Sequence, residues 1–538
     1  MPAQMTVDER RAQGTAARTQ TPRAAHAGWT PAANRPDPVA LLEKQEVTRE
    51  PDLVPVRHGR MMVSPFTFYR GAAIIMAEDL KNTPTAGLSV QLCGDAHLLN
   101  FGVFGSPERR LVFDLNDFDE TLPGPFEYDV KRMAASFLIA GRDAGFSPAD
   151  CTNGALASVA AYREAMASFA QMRTMDIWYA SLDEEEIKQA IRDVAVETAD
   201  AAKSAKEAGK PAKKASAEKK DAEKAKKATA KEAKVAKKED STTRVIDTTR
   251  EKETAKKSGA SDRQAAGDQA KMARRAEKQV DKISAKARSS DSLSALSKLA
   301  EFVDGKYRIV SQPPVLVPLR DLAPELAPHE LDQMIRQQFK DYRATLQPDR
   351  RHLLEQFEIV DVARKVVGVG SVGTRCFIGL LQGRDANDPL FLQVKEATSS
   401  VLEAHLPRSK YRQHGQRVVQ GQRLMQAVSD IYLGWTRGFD VNRNFYWRQL
   451  RDMKGSVSTV GVTPLGLALY ARVCGWTMAR AHARTGDPIA ISAYLGSSDA
   501  FDRSITDFSQ RYADQNERDY DEFASAIKDG RLDAIEGV

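Results

Sequence analysis

The sequence predicts an α+β protein, mostly helical with a small antiparallel sheet. Three observations predict it. Apolar residues recur at helical spacing over several long stretches. Between these stand only short apolar runs of strand length, near 88–93, 111–114, 364–381, 391–395 and 445–449. At 538 residues the chain is long enough for a large core and two lobes or domains.

The elements follow in order. The opening MPAQMTVDERRAQGTAARTQ lacks the apolar core of a secretory signal, and residues 1–40 are expected to form a disordered tail. Tyr69–Leu80, Asp129–Asp143 and Leu156–Ala170 read as amphipathic helices, with Arg132 and Arg142 on the polar side of the second. The composition then changes. Residues 201–240 hold 14 Lys and 7 acidic residues, a balance of +7, so the rest of a chain of net charge +6 is about neutral (6 − 7 = −1). Residues 196–290 have too few apolar side chains to repay the entropy of ordering and are expected to form a solvated low-complexity insertion. Its Ala, Lys and Glu favour helix. The alternative is a weak contact with nucleic acid or an anionic surface through residues 201–285, although no aromatic side chain interleaves the lysines. Val315–Pro328 is punctuated by proline, and Leu331–Tyr342, Arg417–Tyr432 and Leu465–Arg484 read as helices. No apolar run approaches the roughly 20 residues of a membrane helix. The four cysteines, at 93, 151, 376 and 474, have no metal-type spacing and suggest a reducing cytoplasm.

Chemistry concentrates in residues 93–121, CGDAHLLNFGVFGSPERRLVFDLNDFDET. Asp95, His97 and Asn100 precede a buried strand, and Asp114, Asp117 and Asp119 follow it. Carboxylates so grouped are costly to bury unless paired or bound to a metal. A second cluster lies far downstream. Gly368-Val369-Gly370-Ser371-Val372-Gly373 is a G-x-G-x-x-G between two strands, a context that argues against a dinucleotide fold, which needs a helix after the third glycine. Phe391-Leu392-Gln393-Val394-Lys395-Glu396 then places one lysine in an apolar alternation, 22 positions past Gly373 (395 − 373). A plain hairpin turn and a surface lysine are the competing readings of these two features.

GDAHLLN resembles the H-G-D-x-H-x-x-N loop of aminoglycoside and choline phosphotransferases. Its step from Asp95 to Asn100 is five positions (100 − 95), as in the protein-kinase catalytic loop. Asp117-Phe118-Asp119 resembles the kinase D-F-G, and Pro125–Asp129 the D-P-x-x-D stretch of small-molecule kinases. The resemblance implies Asp95 as catalytic base beside His97, with Asn100 and Asp117 as Mg²⁺ ligands and Asp129 as a brace. It further implies Gly368, Gly370, Ser371 and Gly373 as the phosphate-covering loop and Lys395 as the ATP lysine, paired with Glu403. His97 serves as well to hold the loop, and a turn or cap role for Asp114 and Asp119 stands level with metal binding. Cys93 occupies the usual His position, and Asp119 replaces the D-F-G glycine. Because the glycine loop follows the catalytic loop, the implied fold is a circularly permuted, two-lobed kinase-like one. Residues 41–195 would form the catalytic-loop part, 291–360 a helical connection and 361–460 the nucleotide clamp, with 461–538 completing the first lobe. More narrowly the chain resembles the bacterial family DUF2252, through Arg57–Arg60, FYRG (68–71), the block above, KVVGVGSVGTR (365–375), LQVKEA (392–397), GQRLMQAVSD (421–430) and FYWRQLRDMKG (445–455). That family name supplies no activity. The expectation is a Mg²⁺–ATP phosphotransferase acting on a small-molecule hydroxyl. Nucleotidyl transfer on the same scaffold, a metal-dependent phosphoesterase, and a non-catalytic nucleic-acid-binding protein are the alternatives.

Overall fold

Helix α1, Val7–Gln20, stands where a disordered tail was expected. Thr6 caps it through a capping box with Glu9. Its buried residues, Gly14 and Ala17, are too small to register as an apolar run. A Cβ on Gly14 would lie 2.0 Å from the carbonyl oxygen of Ala490, so this helix meets residues 488–495 backbone against backbone.

The computed structural model describes residues 5–189, 191–192, 274–275, 277–450, 453–457 and 461–538. They divide into two compact units, Met1–Glu184 with Ile283–Val538, and Glu185–Lys282. The second unit carries the ion pairs Lys188–Asp281 (2.7 Å) and Arg192–Glu277 (3.2 Å). The Lys-rich insertion lies outside the described residues from 193 to 273. Its expected last stretch belongs to the first unit, where Ser284 and Ala287 are buried.

In the first unit, α2 (Pro38–Glu46), α3 (Val54–Met61), α4 (Pro65–Gly71) and α5 (Ala73–Leu80) come next. The single helix expected over Tyr69–Leu80 is broken at Ala72. There Gly71 passes so close to Met61 that a Cβ would sit 2.6 Å from its sulfur. Strand β1 (Ser89–Leu92) precedes the hairpin of β2 (Phe101–Gly105) and β3 (Leu111–Leu115), and β4 (Leu122–Pro125) returns to pair with β1. Then come α6 (Glu127–Asp143), α7 (Pro148–Phe169), α8 (Thr174–Tyr179) and β5 (Leu182–Asp183). Fifteen of the seventeen residues of α6 are buried, so it is a central pillar whose charges must find partners inside. Arg132, expected on a polar face, is 2% exposed.

The chain continues with α9 (Ser292–Leu299), the hairpin β6 (Ala300–Val303) and β7 (Lys306–Ile309), β8 (Leu316–Pro318), α10 (Pro328–Arg343) and α11 (Pro348–Leu354). β9 (Glu358–Lys365), β10 (Cys376–Gln382) and β11 (Pro389–Ala397) follow, then α12 (His414–Met425), β12 (Gly434–Arg437), β13 (Asn444–Gln449) and β14 (Gly455–Ser456). The last helices are α13 (Pro464–Ala483), α14 (Pro488–Leu495) and α15 (Ala500–Lys528). The expected helix Arg417–Tyr432 stops at Met425, because Gln426 turns extended and the Ala427 N–H is taken by the Asp114 carboxylate.

Strands β12-β13-β11-β10-β9-β8 form one antiparallel sheet in that order, and β14-β2-β3-β5 a second. Strand alternation sorts the large sheet. Leu392, Val394, Phe445 and Trp447 face a core that includes Tyr342, whose ring stacks on Trp447 at 4.4 Å. Gln393, Lys395, Tyr446 and Arg448 therefore face the other way, with Lys395 opposite Tyr446 and Gln393 opposite Arg448. No described helix is long and apolar enough to cross a membrane.

Candidate functional site

The 93–100 loop hangs from the first turn of α6. Asp129 accepts hydrogen bonds from the backbone N–H groups of Cys93 (2.7 Å) and Gly94 (2.9 Å). His482 of α13 stands 3.2 Å from the same carboxylate, and its other ring nitrogen meets the Tyr162 hydroxyl at 2.9 Å. Gly94 has φ +86°, and a Cβ there would lie 2.3 Å from the Glu120 carbonyl oxygen. Gly94→Ala is therefore expected to cost about 2 kcal/mol or more, from left-handed backbone strain and overlap together. A denaturant melt that leaves the midpoint unchanged would contradict this.

Asp95 is 21% exposed at its side chain, with Oδ1 held by the Arg132 guanidinium. Oδ2 has no hydrogen bond among the described residues. Arg132 itself lies over the Tyr69 ring, 4.4 Å from its centroid. The Asn100 side-chain N–H₂ donates to the Asp95 carbonyl oxygen, which leaves the amide oxygen for another partner. His97 accepts from the Leu99 N–H at Nδ1 (3.2 Å), so its proton sits on Nε2, 4.0 Å from Asp95 Oδ2. In that tautomer His97 holds the loop and has no lone pair turned to the cavity.

Burial lowers the His97 pKa to about 4 and that of His26 to about 3. Unfolding lets both imidazoles take a proton near pH 6.5, which the folded chain denies them. Stability is therefore full above pH 6.5 and falls as the pH drops towards 4. Each histidine contributes on the order of 3 kcal/mol to that loss. A melting temperature flat between pH 7 and 4.5 would refute it.

The second half of the site closes on the first. Lys395 Nζ lies 2.6 Å from Asp119 Oδ2 and 3.5 Å from Asp117 Oδ2. Burial alone would lower the Lys395 pKa, but the two carboxylates outweigh it and hold it well above the ordinary lysine value. Burial would likewise raise Asp117, yet Lys395, Arg448 and Lys454 hold its carboxyl well below the usual range. Asp119, expected as a metal ligand, has both oxygens committed. Oδ1 accepts from the Tyr446 hydroxyl (2.6 Å), and Oδ2 accepts from Lys395 and, at 3.4 Å, from Ser371. Glu403, expected as the partner of Lys395, instead lies 4.0 Å from Arg417 Nε. It lies within a 3₁₀ turn, Val401–Ala404, that follows β11.

The glycine loop crosses the top of this cluster. Gly368 and Gly373 have φ +66° and +86°, a region open to glycine at no cost. Val369 and Val372 are buried, Arg60 donates to the Gly368 carbonyl (2.6 Å) and Arg49 to that of Val372. The loop is thus anchored on the early helices and is not a free flap. A cavity of about 140 Å³ beneath it is lined by Asp95, His97, Asn100, Asp117, Asp119 and Arg70, among others. Gly368, Ser371 and Asp117 also line a second cavity, towards Arg448.

The sequence-predicted residues Asp95, His97, Asn100, Asp117, Asp119, Gly368, Gly370, Ser371 and Lys395 thus converge, whereas Gly373 sits against Arg49 and accepts from the Glu50 N–H (2.8 Å), and Glu403 pairs elsewhere. Sequence reading missed Tyr446 and Arg448, which the period-2 alternation from buried Phe445 and Trp447 could have placed beside Lys395. His482, on the expected helix Leu465–Arg484, is fully buried. Among the described residues no three His, Cys, Asp or Glu side chains converge on a preformed metal cage. Mg²⁺ does not require one, since it keeps several waters and takes one or two protein oxygens beside phosphate. The Asp117 carboxylate and the unengaged Asn100 amide oxygen fit that need.

Compared with known families, residues 49–271 and 243–526 match the family described as "Uncharacterized protein conserved in bacteria (DUF2252)". No curated protein and no solved structure matches the chain.

Proposed function

The chain belongs to the DUF2252 family, whose description carries no activity, and from the site we propose a Mg²⁺–ATP-dependent phosphotransferase that moves a phosphorus-containing group of ATP onto a small-molecule hydroxyl. One observation carries the reading. Lys395 reaches Asp117 and Asp119 under the glycine loop, in a cluster that also holds Asp95 and Asn100. The strand order supports it. β9, the glycine loop, β10 and β11 form a meander with Lys395 on its third strand, as the ATP lysine stands in kinases. A permuted kinase-like fold accounts for that order. It departs from the usual pattern in the lysine's partner, because α12 (HGQRVVQGQRLM) carries no carboxylate and Asp119 takes that place.

In this reading Asp95 Oδ2 accepts the proton of the acceptor hydroxyl, while Arg132 fixes the carboxylate through Oδ1. Asp117 and the Asn100 amide oxygen would hold the metal. Bound Mg²⁺ would neutralise charge on the phosphate oxygens. Lys395 and the backbone N–H groups of the glycine loop orient the phosphates. A two-metal phosphoesterase is less well supported, because among the described residues no three His, Cys, Asp or Glu side chains converge as such a site needs.

Calorimetry with Mg²⁺–ATP tests the proposal directly. The full chain is expected to bind, and Lys395→Met to weaken binding at least about tenfold. Equal affinity in a folded variant would remove Lys395 from the site, and no binding by the natural chain would end the reading.

A further inference from the structure

The two cavities that meet at Gly368, Ser371 and Asp117 have opposite character. The smaller is lined by five carboxylates, Asp95, Asp117, Asp119, Glu120 and Glu396, against Arg49 and Arg70. The larger, of about 460 Å³, is lined by Lys286, Lys298, Lys395, Arg448 and Lys454, and Asp117 is its only carboxylate among the described residues. Lys395 is already taken up by Asp119 and Asp117. Lys286, Lys298 and Lys454 make no ion pair among the described residues. Among the described residues Arg448 bonds only uncharged groups, the Gln393 side-chain oxygen (2.8 Å) and the Asn116 carbonyl (3.0 Å).

A nucleotide base would be poorly served here. Among the described residues Val367 and Leu450 are the only aliphatic side chains in the lining, and Gln393 and Arg448 bridge the face of the sheet on which a base would lie. Four cations, facing the single carboxylate of Asp117 among the described residues, leave an excess of positive charge that matches a polyphosphate.

Resting on the ATP-dependent reading above, we infer that this basic cavity takes the β- and γ-phosphates, so that the α-phosphorus stands at Asp117 and the group transferred is the nucleoside monophosphate. The nucleoside then lies beyond the glycine loop, where Gln45, Thr48 and Thr398 offer hydrogen bonds. The acceptor oxygen bonds to the α-phosphorus. The bond from that phosphorus to the oxygen bridging to the β-phosphorus breaks, and its electron pair leaves with pyrophosphate. The hydroxyl proton passes to Asp95. Lys454, Arg448 and their neighbours meet the charge of the departing pyrophosphate, and no further reactant is needed.

The test incubates the full chain with Mg²⁺ and ATP alone, so that water replaces the acceptor. AMP and pyrophosphate are expected. ADP and orthophosphate would overturn the inference and leave the phosphotransferase reading intact, whereas a chain that binds no ATP loses both. Where ATP binds without turnover, inorganic tripolyphosphate is the probe. It should displace ATP, and the double variant Lys298→Glu/Lys454→Glu should weaken both ligands by about tenfold or more. Both lysines are exposed, so the fold is spared. Undisturbed ATP binding in the presence of tripolyphosphate, or in that variant, overturns the inference while the ATP reading stands.

Discussion

Asp95→Asn is expected to lower turnover by about a thousandfold while leaving Mg²⁺–ATP affinity nearly unchanged. The substitution keeps the side chain's size and one oxygen for the Arg132 guanidinium. It removes the proton acceptor at Oδ2, which is the oxygen without a hydrogen bond. Lys395, Asp117 and the glycine loop, which hold the nucleotide in the proposed reading, are untouched. The change also takes a negative charge from a nearly buried arginine, so a melting curve has to accompany the assay. Preserved turnover in the folded variant would strip Asp95 of its role as base. Lost nucleotide binding in a folded variant would mean that Asp95 serves the phosphates.

The second large effect concerns the frame of the site. Arg480→Met is expected to destabilise the chain by about 3–5 kcal/mol, read as a shift in a urea transition. Arg480 and Asp114 form an ion pair in which neither side chain is more than 1% exposed. Arg480 also donates to the Met425 carbonyl (2.7 Å), and Asp114 accepts from the Ala427 N–H (2.7 Å). One pair thus ties α13 to β3 and to the end of α12. Without the arginine, Asp114 is left as an unpaired charge in the interior, which costs more than the pair itself is worth. Adding Asp114→Asn should recover much of the loss, and a double-mutant cycle measures that coupling. A loss below about 1 kcal/mol would mean that water reaches the pair.

The acidic half of the site was legible because its residues are close in sequence and chemically unlike core material. Asp95 and Asn100 share one loop, and Asp117 follows one strand. Lys395 was legible because a lone lysine in an apolar alternation is conspicuous. Its partner was not. Glu403 is near in sequence, whereas Asp119 is 276 positions away, and spacing carries no information at that range. Asp114 could not be told from a ligand in the sequence, because its arginine arrives 366 residues later. The fold was legible where apolar side chains mark the period, as in α7 and α13. It was illegible in α1, whose packing face is glycine and alanine, and at Ala72, where a close backbone approach overrides a continuous helical pattern.

The long reach of the Lys395–Asp119 pair has a consequence for how the protein comes into being on the ribosome. Synthesis runs at roughly 5–20 residues per second, so the 276 residues between the two partners take about 14–55 s to emerge. Throughout that interval the nascent chain carries the carboxylates of one half of the site without the lysine that neutralises them. The cluster cannot close before then, so the site is completed only once β11 has emerged.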